Sequence, residues 1–143
     1  MPASILVVDD DQTMLEIMAI QLRNAGYDVR TAADGIEAGY AVLKRRPDLI
    51  ITEAQMPYMD GFDLIAALRS DHSVSSIPVI MLTSHSEWQE RGTRVGVDGY
   101  VTKPIRADRL LALVAVHLKS CGEAGGRIEV TARGKTCDDV KDC

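Results

Sequence analysis

The chain has 143 residues and a mass of 15.6 kDa, which is enough for one hydrophobic core of ordinary size but not for two. Its 16 basic and 21 acidic residues give a net charge of −5, which argues against sequence-independent binding to nucleic-acid phosphates. No apolar run approaches the length of a membrane span, and the first ten residues lack the pattern of a secretory signal. We therefore expect a cytoplasmic protein that binds neither membranes nor nucleic acid directly.

The first half of the chain alternates short apolar runs with longer amphipathic segments. Ser4–Val8 is a nearly continuous run of branched apolar residues, which is typical of a strand buried on both faces of a parallel sheet. Apolar residues then recur at helical spacing from Met14 to Leu22 and stop before Gly26, which favours a helix. The same alternation predicts a strand over Asp28–Ala32, a helix over Ile36–Lys44 and a strand over Leu49–Thr52.

The second half of the chain continues this alternation. Leucines and a valine between Leu110 and Leu118 give the last predicted helix a broad apolar face. Five strands alternating with five helices predict an α/β fold with a parallel sheet, helices on both faces and right-handed crossovers. The other elements predicted here are helices over Phe62–Arg69 and, less regularly, Ser86–Val95, and strands over Val79–Leu82 and Tyr100–Thr102.

Polar side chains stand at the predicted carboxyl ends of four strands, which is where parallel sheets bind their ligands. The carboxylates supply the hard oxygen ligands that Mg²⁺ prefers, and the hydroxyl and ammonium groups bind anionic oxygens. Each residue alone is more often a solvated loop residue or a helix cap, but their joint occurrence predicts a site for a divalent cation and a phosphoryl group. The residues are Asp9 and Asp10 after the first strand, Glu53 after the third, Thr83 and Ser84 after the fourth and Lys103 after the fifth.

Five segments carry motifs of one known family: ILVVDDD at Ile5–Asp11, ADG at Ala33–Gly35, PDLIITEAQMPYMDGFDLI at Pro47–Ile65, PVIMLTS at Pro78–Ser84 and DGYVTKPI at Asp98–Ile105. Through them the chain resembles the receiver domains of bacterial two-component response regulators, the chemotaxis regulators among them, over about residues 4–118. The resemblance implies a flavodoxin-like, doubly wound five-stranded sheet of order 2-1-3-4-5. It also implies a role in phosphorelay signalling and not in catalysis.

The resemblance assigns roles to single residues. In this family the acidic pair after the first strand, here Asp9 and Asp10, binds Mg²⁺. An aspartate at the end of the third strand takes the phosphoryl group from a histidine kinase. The other assignments are Gln55 as a metal ligand through its backbone carbonyl, Thr83 and Lys103 as phosphoryl contacts, and Tyr100 as the aromatic switch residue.

Glu53 stands where the family has its phosphoacceptor aspartate, and Met56-Pro57 and Asp60-Gly61 fix the register of the motif. The extra methylene displaces the carboxylate by roughly 1.5 Å, and a misplacement of about 1 Å can cost ~10²-fold in rate. We therefore predict that Glu53 is not phosphorylated in the ordinary way and instead imitates part of a phosphoryl group beside Lys103 and Thr83. Glu53 also belongs to the predicted metal ligands, and we expect Mg²⁺ binding to be weak or absent.

Two other functions stay open at the level of the sequence: phosphorylation of Glu53 or a nearby carboxylate such as Asp60, and a small Mg²⁺-dependent phosphatase or phosphotransferase. Receivers similar to this one signal through the fourth helix, fifth strand and fifth helix. The implied partners are a signalling protein at this face, a histidine kinase and a second copy of the chain. Trp88 either anchors a partner or packs against its own sheet. The predicted face comprises Trp88, Arg91, Arg94, Tyr100, Arg106 and Arg109.

The end of the chain differs in composition from the rest. It holds all three cysteines, Cys121, Cys137 and Cys143, and its basic and acidic residues balance. We place a receiver domain at residues 1–119 and a short tail, too short for its own core, at residues 120–143. The tail should open with a break at Cys121–Gly126 and contain an exposed strand at Arg127–Ala132. Reduced thiols are the preferred interpretation of the cysteines, ahead of a disulfide and then of a metal site.

Overall fold

A computed structural model describes residues 2–122, and its five parallel strands pair in the order 2-1-3-4-5 along the chain. This order confirms the predicted fold. The strands are β1 (Ser4–Val8), β2 (Asp28–Ala32), β3 (Leu49–Thr52), β4 (Val79–Thr83) and β5 (Gly99–Thr102). The helices are α1 (Gln12–Asn24), α2 (Gly35–Lys44), α3 (Gly61–Arg69), α4 (Gln89–Val95) and α5 (Ala107–Gly122).

The sheet separates two hydrophobic cores, because successive residues of a strand point to opposite faces. In β1, Ile5 and Val7 join the core under α1 and α5, whereas Leu6 and Val8 join the core under α2 and α3. Both faces of the central strands are therefore filled with apolar side chains. Polar side chains can converge only at the strand ends. None of the helices in residues 2–122 is long and apolar enough to span a membrane.

The predicted helix over Ser86–Val95 is wrong in its first turn. Ser86–Trp88 forms a 3₁₀ turn, and the α-helix begins only at Gln89. No side chain caps either start, and the glycine and threonine in the short segment disfavour helix. Gly92 is nevertheless required in α4, because a Cβ there would come within 2.9 Å of the Tyr100 ring.

The last helix also differs from the prediction. α5 runs to Gly122 and so includes the first two residues of the break predicted at Cys121–Gly126. The domain boundary placed at residue 119 stays a prediction. Residues such as Ser120 and Cys121 cost a helix only ~0.5 kcal/mol each, which the apolar face of α5 offsets. The predicted strand at Arg127–Ala132, together with Cys137 and Cys143, lies outside the described residues.

Aspartates start three of the helices at the edge of the sheet where the strands end. The Asp11 side chain accepts hydrogen bonds from the amides of Thr13 and Met14, at 3.0 and 3.2 Å. Asp60 Oδ1 accepts one from the amide of Asp63 at 2.9 Å, and Asp34 caps α2 in the same way. These carboxylates satisfy amides that have no partner inside the helix.

Arg69 ties the end of α3 to the starts of β4 and β5. Its guanidinium donates to the carbonyls of Gly96, Ser75 and Ile77 and to the Asp98 carboxylate, at 2.8 to 3.1 Å. The side chain is only 22% exposed. We expect Arg69→Met to lower the free energy of unfolding by ~2–4 kcal/mol, because three carbonyls lose their donors.

A matched control is Arg46, which donates to the Ser73 carbonyl and the Ser76 hydroxyl from an exposed position. We expect Arg46→Met to cost less than ~1 kcal/mol, because water replaces those contacts. Urea unfolding of both variants measures the difference. Equal losses would contradict the role given to Arg69.

Candidate functional site

Three charged side chains meet at the carboxyl edge of the sheet. Asp9 follows β1, Glu53 follows β3 and Lys103 follows β5. The Lys103 Nζ atom lies 2.7 Å from Asp9 Oδ2 and 2.9 Å from Glu53 Oε1. Asp9 and Glu53 are only 2% and 7% exposed, so both ion pairs are largely withdrawn from water. The structure thus brings together three of the residues predicted at this site.

The second carboxylate oxygen of Glu53 is held by the backbone. Glu53 Oε2 accepts hydrogen bonds from the amides of Ala54, at 2.7 Å, and Gln55, at 3.2 Å. The Glu53 carbonyl accepts one from the Thr52 hydroxyl at 2.9 Å. A Cβ at Gly61 would lie 2.3 Å from the same carbonyl oxygen, so only glycine fits there. Side chain and backbone of Glu53 are both held in place.

The charges of the site stabilise one another against the cost of burial. Burial alone would raise the pKa of Glu53, but hydrogen bonds from Thr83, Lys103 and a backbone amide outweigh it and lower this pKa. Burial raises the pKa of Asp9, and the Lys103 ammonium offsets this only in part. Burial would lower the pKa of Lys103, but its hydrogen bonds to both carboxylates raise it. Glu53 and Lys103 are therefore both charged at neutral pH.

The carboxylates of Asp9 and Glu53 are engaged by other groups of the chain in this arrangement. Asp9 Oδ1 accepts a hydrogen bond from the amide of Asp11 at 3.0 Å. Together with the contacts given above, all four carboxylate oxygens of Asp9 and Glu53 accept hydrogen bonds from the chain. Within residues 2–122, no three His, Cys, Asp or Glu side chains form a group that could hold a metal ion. The predicted metal ligands, with Asp10 and the Gln55 carbonyl, stay a prediction.

His85 links Thr83 to Tyr100. The buried Thr83 hydroxyl accepts a hydrogen bond from the His85 amide at 3.3 Å. The Tyr100 hydroxyl donates to the His85 carbonyl. The Tyr100 ring is half-buried against Gly92, and burial together with nearby carboxylates raises its pKa. One residue thus connects the hydroxyl beside Glu53 with the aromatic ring on β5.

His85 is not among the residues predicted from the sequence, although it follows Thr83 and Ser84 directly at the end of β4. Its ring stacks on Trp88, with the ring centroids 4.0 Å apart and the planes at 21°. The Trp88 ring also packs edge to face on the Phe62 ring, with the ring centroids 6.0 Å apart. Trp88 therefore packs against its own domain while staying partly exposed, which was one of its two predicted roles.

An open pocket of about 480 Å³ adjoins the ion pairs and the aromatic stack. Some residues of the predicted signalling face, formed by the fourth helix, fifth strand and fifth helix, contact other residues of the chain. The Arg91 Cζ atom lies 4.0 Å from the Phe62 ring centroid. Arg94 Nη1 lies 4.0 Å from Glu90 Oε2, and Arg106 Nε lies 3.2 Å from Asp108 Oδ1. The residues that line the pocket are Asp10, Glu53, Gln55, Met56, Pro57, Ser84 and His85.

A family model described as the response regulator receiver domain matches residues 5–115. The DNA-binding dual master transcriptional regulator RpaA of Synechocystis sp. is 38% identical over 117 residues, which cover 80% of this chain and 48% of RpaA. The DNA-binding response regulator MtrA of Mycobacterium tuberculosis is also 38% identical over 117 residues, with 80% of this chain and 50% of MtrA covered. The chain thus spans about half the length of these curated relatives.

Solved structures resemble this fold closely. The chemotaxis response regulator CheY4 of Vibrio cholerae is 35% identical with a TM-score of 0.78, covering 82% of this chain and 99% of CheY4. The receiver domain of the Francisella response regulator 1452 is 32% identical with a TM-score of 0.75, covering 82% of this chain and 97% of that one.

Proposed function

The chain belongs to the response regulator receiver domain family, and from this premise we propose that Glu53 holds this two-component receiver permanently in an arrangement that imitates phosphorylation. The proposal rests on the contacts of the Glu53 carboxylate. Its oxygens accept hydrogen bonds from the Lys103 ammonium, at 2.9 Å, and from two backbone amides. The imitation is partial, because a carboxylate carries a charge of −1 whereas a phosphoryl group brings about −1.5 to −2.

The proposed signal passes from Glu53 to Tyr100. In this proposal the Thr83 hydroxyl, which helps to lower the pKa of Glu53, is the first link. The Thr83 hydroxyl accepts a hydrogen bond from the His85 amide, and the His85 carbonyl accepts one from the Tyr100 hydroxyl. Tyr100 turned inward leaves a different surface of α4, β5 and α5 open to a partner than Tyr100 turned outward. Binding of a signalling protein at that surface is the proposed output.

The proposal makes signalling independent of Mg²⁺ and of a histidine kinase. Lys103 supplies the positive charge that the metal would otherwise bring to Asp9 and Glu53. Asp60 is a poor substitute acceptor, since its Oδ1 atom caps α3. The role is one of binding and not of catalysis. RpaA and MtrA are DNA-binding proteins, but we propose that this chain does not contact nucleic acid itself, because its net charge is −5.

Amide chemical shifts of Thr83, His85 and Tyr100 test the proposal. We expect Glu53→Ala to move these three signals, because the hydroxyl beside residue 53 loses its carboxylate. Glu53→Asp should resemble Glu53→Ala until acetyl phosphate and Mg²⁺ are added, and should then move toward the wild type. Two-dimensional NMR of the three proteins measures this. If Glu53→Ala and untreated Glu53→Asp both keep the wild-type shifts, Glu53 imitates nothing.

A further inference from the structure

Helix α2 carries an apolar stripe that the fold leaves uncovered. Ile36, Tyr40 and Leu43 are 48, 71 and 73% exposed. Their spacing places them on one face of the helix. The opposite face of α2 buries Ala38 and Val42 in the core, so the stripe lies outside the core. Apolar surface concentrated on one helix face is typical of an interaction site.

Opposite charges flank this stripe on one side. Glu37 and Lys44 are seven residues apart, which puts them on the same flank of α2, near its two ends. Both are exposed, and Lys44 forms no ion pair within residues 2–122. Glu37 uses Oε1 to accept the amide of Ala33, which leaves its other carboxylate oxygen free. The charges are thus arranged acidic at the start of the helix and basic at its end.

We infer that the α2 stripe binds the α2 stripe of a second copy of this chain in antiparallel orientation. A two-fold axis near Tyr40 sets Ile36 of each copy against Leu43 of the other. In an antiparallel helix pair like flanks face each other, so Glu37 of each copy meets Lys44 of the other. The interface therefore joins an apolar centre with two equivalent ion pairs.

Gly39 lies beside the stripe and favours the same occupant. A Cβ added at this position would meet nothing within 4 Å, so no part of residues 2–122 covers it. A second helix can approach closely where a side chain is missing. One helix pair buries less than the roughly 1,200 Å² of a stable interface. The dimer should therefore be weak, with a dissociation constant of about 0.1 mM, and should form at high local concentration.

Sedimentation equilibrium of the full chain between ~10 µM and ~1 mM tests the dimer, with a reductant present so that cysteines cannot cross-link. We expect the wild type to dimerise and Tyr40→Ser to weaken the dimer at least ~10-fold. Ile20→Ser is the matched control. Ile20 is 57% exposed on α1, on the other side of the sheet, and its replacement should leave the dimer unchanged.

Exchange of the flanking charges tests the orientation. Lys44→Glu should weaken the dimer, and Glu37→Lys combined with Lys44→Glu should restore it, because the two pairs are rebuilt with reversed sign. Circular dichroism shows that each variant is folded, which matters because Glu37 also receives the Ala33 amide. A monomeric wild type at ~1 mM, or a dimer that Ile20→Ser and not Tyr40→Ser disrupts, would overturn the inference. Failure of the folded double variant to restore the dimer would overturn the antiparallel pairing.

Discussion

Glu53→Asp is expected to accept a phosphoryl group from acetyl phosphate in the presence of Mg²⁺, whereas the wild type is not. The shorter side chain draws the carboxylate back by roughly 1.5 Å and opens room for the phosphoryl group between residue 53, Thr83 and Lys103. The wild-type carboxylate occupies that room and bonds Lys103 directly. Since a misplacement of about 1 Å can cost ~10²-fold, we expect at least that difference in rate.

Intact-mass spectrometry after timed incubation measures the phosphorylation, and peptide mapping locates it. Glu53→Ala is the control, and it should gain no mass. Calorimetric titration adds a second reading: Glu53→Asp should bind Mg²⁺ more tightly than the wild type, because Lys103 no longer bridges both carboxylates at short range. Stoichiometric phosphorylation of the wild type, on Glu53 or on Asp60, would contradict the proposed function.

Lys103→Met is expected to produce the largest loss of stability of any change at the site. It leaves the carboxylates of Asp9 and Glu53, with side chains 3% and 8% exposed, without their common cation. Removing one partner of a buried ion pair costs about 3–5 kcal/mol. Arg109→Met is the control, because Arg109 is an exposed cation, and it should cost less than ~0.5 kcal/mol.

The loss caused by Lys103→Met should depend on pH. In the wild type the pKa of Glu53 is lowered, so the stability it contributes is present above its unfolded pKa of about 4.3 and is lost as the pH falls through the folded value. In the variant the unpaired carboxylates favour protonation, which relieves their repulsion. The two unfolding curves should therefore converge at acidic pH. A difference that stays constant from pH 7 to below pH 4 would show that packing, and not charge, explains the loss.

Most of the fold could be predicted from the sequence because its cause is local. Continuous apolar runs such as Ser4–Val8 predict strands buried on both faces, and periods of 3.6 residues predict the covering helices. The 3₁₀ turn after His85 could not be predicted, because Trp88 at its end packs on the rings of His85 and Phe62, and a helical sequence pattern does not show such tertiary contacts.

The family, the strand order and the replacement of the usual aspartate by Glu53 are readable from the amino-acid sequence, since short motifs carry all three. The packing of the whole domain is what brings Lys103 into contact with Asp9, 94 residues away, and with Glu53. It also decided that His85 lies between Thr83 and Tyr100 and that the apolar stripe of α2 faces outward. A sequence pattern can place a residue at a strand end or on a helix, but distances between side chains from separate strands depend on how the whole sheet packs.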